Sequence, residues 1–73
     1  MAFDDLVEQI KKRREVLDIT QEILADISGV GLRTIKAFES GKGNPTLQTL
    51  HSICNVLGLE IKLQLKTMNY ENI

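Results

Sequence analysis

With 73 residues, the chain has room for one small domain with a marginal core, since so short a chain buries only about 60% of its unfolded surface. Composition is ordinary for a globular domain, 42% hydrophobic and 26% charged, which excludes a disordered tail, a collagen-like repeat or a low-complexity linker. A net charge of −1 excludes histone-like binding through bulk charge and leaves a local basic face open.

From Asp4 the apolar residues Leu6, Val7, Ile10 and Leu17 recur at helical period, and a first helix is predicted over about 4–17. Asp5 and Glu8 have capping-box spacing. Asp18-Ile19 breaks the pattern, and Thr20 is placed to cap a short second helix. Ile23, Leu24 and Ile27 form its apolar stripe, and Gly29 ends it where a left-handed residue is needed. A third helix is predicted from about Leu32 to Glu39, with Ile35 and Phe38 inward, followed by a loop over Gly41–Pro45. Thr46 caps a fourth helix running to about Leu57, whose buried face holds Leu47, Leu50, Ile53, Cys54 and Leu57.

Beyond Gly58 the period changes. Leu59 to Lys66 alternates apolar and polar through four cycles, the pattern of a half-buried strand. The single chain offers this strand no partner, so the expectation is pairing with a second copy across a two-fold axis. Leu59, Ile61, Leu63 and Leu65 would then face the helices, and Glu60, Lys62, Gln64 and Lys66 would face water. The expected organisation is a helical domain over 1–58, a dimerisation strand over 59–66 and a frayed tail over 67–73.

Two short helices joined by a tight turn place demands on particular positions. Leu24, Val30, Ile35 and Phe38 must be apolar, Ala25 must be small, and Gly29 must accept positive φ. All six conditions hold. These residues carry a resemblance: Thr20-Gln21-Glu22-Ile23-Leu24-Ala25, Gly29-Val30, Thr34-Ile35, Phe38-Glu39-Ser40-Gly41-Lys42 and Asn44-Pro45-Thr46-Leu47 look like the XRE (phage repressor and Cro) helix-turn-helix family. The Leu-Gly-Leu-Glu-Ile-Lys-Leu run that follows is similar to HipB-type regulators, small antitoxin repressors with a C-terminal strand.

The resemblance implies a mainly α, compact four-helix repressor-like domain whose second motif helix enters the DNA major groove. Carried over by position, Gly31, Leu32, Arg33, Lys36 and Ala37 face the groove. Arg33 is the best candidate for direct readout, its fork matching the N7 and O6 acceptors of guanine. Gln21, Thr34, Lys42 and the backbone around Gly41, Gly43 and Asn44 are expected to hold phosphates. Gly31 and Leu32 stand where the family has polar residues, so helix 3 lacks a side-chain cap. Lys11 and Lys12 read as a solvated helix face, whereas Arg14 falls in line with Val7, Ile10 and Leu17. The resemblance pairs Arg14 with Glu39 as an orientation device for the recognition helix.

Enzyme chemistry finds no support. One His, no serine elbow and no paired acids leave nothing to assemble a catalytic site, and no cofactor is expected. Cys54 with His51 is too small a set for a closed zinc site, and a lone Cys suits a reducing compartment. The acidic start and the absence of any long apolar run predict a soluble cytoplasmic protein, nucleoid-associated when bound to DNA. The expected function is a bacterial or phage homodimeric repressor on a palindromic operator, autoregulatory, with a HipA-like kinase toxin as the partner implied by the HipB likeness. The alternative is a protein–protein adaptor that reuses the fold.

Overall fold

The computed structural model describes residues 3–65. Four helices follow one another: α1 (Phe3–Val16), α2 (Gln21–Ser28), α3 (Leu32–Glu39) and α4 (Leu47–Val56). Their apolar faces meet in one core of Val7, Ile10, Leu24, Ile35, Phe38, Ile53, Cys54 and Leu57. Full burial of each large aliphatic side chain contributes about 1.5–3 kcal/mol. Phe3 closes the core from above, its ring standing edge-on to Phe38 at 6.0 Å and 88°.

Local chemistry sets where each helix starts and stops. Thr20 Oγ1 accepts from the Ile23 amide at 3.0 Å, and Thr46 Oγ1 accepts from the Thr49 amide at 3.1 Å. Each side-chain oxygen thus satisfies one of the donors that a helix leaves unpaired at its N-terminus. At the other ends, α1, α3 and α4 close with the same paired bonds. The Ile19 amide reaches Arg14 O, Lys42 reaches Ala37 O, and Leu59 reaches Cys54 O. The preceding amides of Asp18, Gly41 and Gly58 bond the carbonyls of Glu15, Phe38 and Asn55. This is the Schellman arrangement, which needs a left-handed residue just past the helix. Gly41 and Gly58 supply it without strain, whereas at α1 an aspartate, Asp18, takes φ 57°.

Several sequence expectations are corrected. Helix α1 already includes Phe3, so Asp5 lies inside the first turn and is not the cap of a box with Glu8. Ile23 and Ile27 are half-exposed, and Leu24 alone of the proposed stripe is buried. Successive residues turn by about 100°, and α2 faces the core between Leu24 and Ala25, which leaves Ile23 and Ile27 on its outer margin. Leu47, at the first position of α4, points outward and is 69% exposed. Leu17 falls beyond the end of α1 and is a little over a third exposed.

The predicted C-terminal strand is the largest departure. Residues 59–65 form no strand, and Lys66 with the tail over 67–73 lies outside the described residues. A strand exists only through hydrogen bonds to a neighbouring strand, and the described residues supply none here. Leu59 packs against the core as the residue that closes α4, not as the first inward position of a ribbon. Ile61 remains at the margin at 37%, while Leu63 and Leu65 are 101% and 92% exposed. They do not cover α1 and α4 within one chain.

Candidate DNA-binding surface

The turn between α2 and α3 is built as the residue pattern requires. Gly29 takes φ 74° and donates its amide to Ala25 O, a left-handed cap that a β-carbon would strain. Ser28 Oγ accepts from the Val30 amide at 3.2 Å, and Val30 and Ala25 pack on the core beneath the turn. Helix α3 then begins at Leu32, after Gly31, which forms no side-chain cap.

Inward, α3 buries Ile35, Phe38 and Glu39; outward, it presents Arg33, Thr34 and Lys36 to solvent, with Leu32 and Ala37 half-buried beside them. Residues 33, 36 and 37 share one face because positions three and four apart are neighbours on a helix. The only acid of α3 is turned inside, so its outer face is basic although the chain as a whole is not. Among the described residues, Arg33, Lys36 and Lys42 take part in no ion pair. Arg33, Thr34 and Ala37 line a shallow depression together with Gly43, Asn44 and Pro45 of the following loop. The structure therefore brings base-facing and phosphate-facing candidates to one concave surface.

The loop differs in detail from expectation. The amides of Lys42 and Gly43 both donate to Ala37 O, at 3.0 and 3.1 Å, and the Gly41 amide donates to Phe38 O. These donors close α3 and are spent within the chain, which removes Gly41 and Gly43 as amide ligands for phosphate. Gly43 has a different role. A β-carbon there would stand 3.1 Å from the Phe38 nitrogen, so glycine lets the loop lie against the backbone of α3. Asn44 and the Lys42 side chain stay exposed beside it.

Behind this surface sits a polar cluster. Arg14 Nε donates to Glu39 Oε2 at 2.7 Å and Arg14 Nη2 to Glu39 Oε1 at 2.9 Å, a two-pronged pairing. The side chains are 12% and 4% exposed. Arg14 Nη1 also reaches Ile19 O at 2.6 Å, so one guanidinium grips the chain just before α2 and the last residue of α3. The hydrogen bonds that Arg14 donates to Glu39 raise it above the ordinary arginine value, the charge of the carboxylate adding to them against the opposing effect of burial. Gln21 joins the cluster: its Nε2 donates to Glu39 Oε1 at 3.1 Å. On sequence alone Gln21 is assigned only an outward role, and nothing in its residue type discloses this inward bond.

Of the basic run on α1, Arg13 also has a structural partner. Its Nε donates to Leu57 O at 2.8 Å and satisfies a carbonyl at the end of α4. Burial pushes the Cys54 thiol up, in keeping with a small core side chain. Among the described residues no group of three or more His, Cys, Asp or Glu could hold a metal ion. No helix among them is long and apolar enough to cross a membrane.

This combination of a left-handed glycine turn, a basic outer face on the second helix and a buried ion pair behind it defines a helix-turn-helix domain. The family model described as Helix-turn-helix matches residues 10–64, and the chain belongs to that XRE-type family. It is 43% identical over 51 residues to an uncharacterized HTH-type transcriptional regulator of Methanothermobacter thermautotrophicus, covering 70% of this chain and 74% of the relative. It is 35% identical over 54 residues to the cryptic phage CTXphi transcriptional repressor RstR of Vibrio cholerae, covering 74% of this chain and 48% of that protein. An SPbeta prophage-derived uncharacterized HTH-type transcriptional regulator, YonR of Bacillus subtilis, is 34% identical over 59 residues, with 81% and 55% covered. The matched part thus spans about half the length of the last two relatives. No solved structure matches the chain.

Proposed function

We propose that the chain is a sequence-specific DNA-binding transcriptional regulator, acting as a repressor, with α3 as its recognition helix. The observation that carries this reading is the outer face of α3. Arg33, Thr34 and Lys36 stand free there while the helix's one acid is buried against Arg14. A face with no acid and two unpaired cations suits a groove lined by phosphates. Arg33 and Lys36 read bases from it, with Leu32, Gly31 and Ala37 beside them, while Thr34, Lys42, Asn44 and Gln21 contact phosphates. The relatives named as transcriptional regulators, one of them a repressor, support the same reading.

The active form is proposed to be a homodimer on a palindromic operator. Leu63 and Leu65 are apolar, alternate with polar residues and are bare in the single chain, which supports their pairing with a second copy. The narrower role, an autoregulating antitoxin with a HipA-like kinase toxin as partner, rests on the Leu57–Leu63 string alone. Selection from a pool of random duplexes tests the main reading. The expected result is enrichment of an inverted repeat whose half-sites lie about one helical turn, roughly 34 Å, apart. A pool left unenriched at low salt would overturn it in favour of a protein-binding adaptor.

A further inference from the structure

The Glu39 carboxylate receives three hydrogen bonds from two residues on different helices. Two come from Arg14 on α1, and the third comes from Gln21, the first residue of α2. The bond from Gln21 fixes what an amide side chain otherwise leaves open. A carboxylate only accepts, so the nitrogen of the carboxamide must face Glu39 and its oxygen must face away. The two N–H bonds of a carboxamide diverge by about 120°, so once one is spent on Oε1 the second cannot reach the same atom. It remains for an acceptor outside the protein, at a helix N-terminus where the backbone amides already favour an anion.

We propose that Glu39 is a positioning residue for Gln21: it holds the carboxamide so that its second N–H meets a DNA phosphate at the start of α2. The proposal rests on the DNA-binding reading above and gives the buried pair a task beyond holding helices together. Glu39 ends α3, whose loop carries Lys42 and Asn44, and it bonds the residue that begins α2. One carboxylate thereby sets the spacing between two phosphate contacts on either side of the recognition helix. Arg14 supplies the opposite charge beside Glu39, whose side chain is only 4% exposed.

The test separates positioning from stability. Glu39→Asp keeps the charge beside Arg14 but withdraws the carboxylate from Gln21 by one methylene. Affinity for a mixed-sequence duplex of about 30 base pairs is measured at low salt, because phosphate contacts are independent of sequence. Wild type, Gln21→Ala, Glu39→Asp and the double variant are compared at a temperature where circular dichroism shows all four folded. Each single change is expected to weaken binding about five- to tenfold, and the double change no more than Gln21→Ala alone. In spectra of the free protein, the paired side-chain amide signals of Gln21 should shift toward those of a solvated glutamine in Glu39→Asp. Losses that multiply, or a Glu39→Asp protein that binds like wild type, would overturn the proposal. Lys42→Ala serves as the control for the underlying reading. If it weakens binding while Glu39→Asp does not, DNA binding stands and positioning falls; if no variant matters, the DNA-binding reading itself fails.

Discussion

The helical body and the segment leaving it treat the same residue types in opposite ways. Leu24, Ile35, Ile53 and Leu57 are essentially inaccessible, whereas Leu63 and Leu65, a few residues beyond α4, are bare. The difference lies in what each pattern needs for closure. A helix satisfies its own backbone and asks only for an apolar neighbour, which the other three helices provide. An alternating segment must find both a hydrogen-bonding partner and a face to cover. Among the described residues the first demand is met and the second is not. Stability therefore resides in the body, and the segment carries the dimer interface proposed above.

The comparison is most open to attack at the polar cluster inside the body. Arg14→Ala or Glu39→Ala strands a charge that is almost wholly enclosed and should cost about 3–5 kcal/mol in a denaturant titration. The double Ala variant should cost less than the sum, and strict additivity would show that the two side chains do not couple. The segment should behave in the opposite manner. Leu63→Lys with Leu65→Lys is expected to leave the melting of dilute protein within about 0.5 kcal/mol of wild type. Under the proposed dimer, wild type should sediment as a pair at concentrations where this variant sediments as a monomer. A large loss of monomer stability would show that these leucines belong to the body after all. A modest gain is expected at the end of α1, where Asp18 sits at φ 57° with its carboxylate near a helix C-terminus. Asp18→Gly relieves both penalties and should stabilise the fold by about 0.5–1 kcal/mol, read as a raised melting temperature.

Much of the body was legible because independent signals coincide. Thr20 and Thr46 announce helix starts, Gly29, Gly41 and Gly58 announce stops, and the apolar period between them selects Ile10, Leu24, Ile35, Phe38 and Ile53 for the core. What failed depended on direction rather than identity. Ile23, Ile27 and Leu47 fit a helical stripe, but Ile23 and Ile27 lie off the face that α2 turns to the core, and Leu47, at the first position of α4, points outward. The loop after α3 had the right residues for an anion cradle, yet the amides of Gly41, Lys42 and Gly43 are consumed in ending the helix. Likewise the bonds from Arg13 to Leu57 and from Gln21 to Glu39 join residues far apart in sequence, and no local pattern carries such information. Alternation over 59–66 predicts a strand correctly only if a partner exists, and a sequence does not contain its partner's position.

The central claim is that the outer face of α3 reads DNA while the loop behind it holds the backbone. Titration of wild type, Arg33→Ala and Lys42→Ala against a selected operator and a scrambled duplex, each over a series of salt concentrations, tests it directly. Arg33→Ala should lose about 1–3 kcal/mol on the operator and little on the scrambled duplex. Lys42→Ala should weaken both about equally and reduce the salt slope by about one unit. Unchanged affinity of both variants for every duplex at every salt concentration would contradict the account.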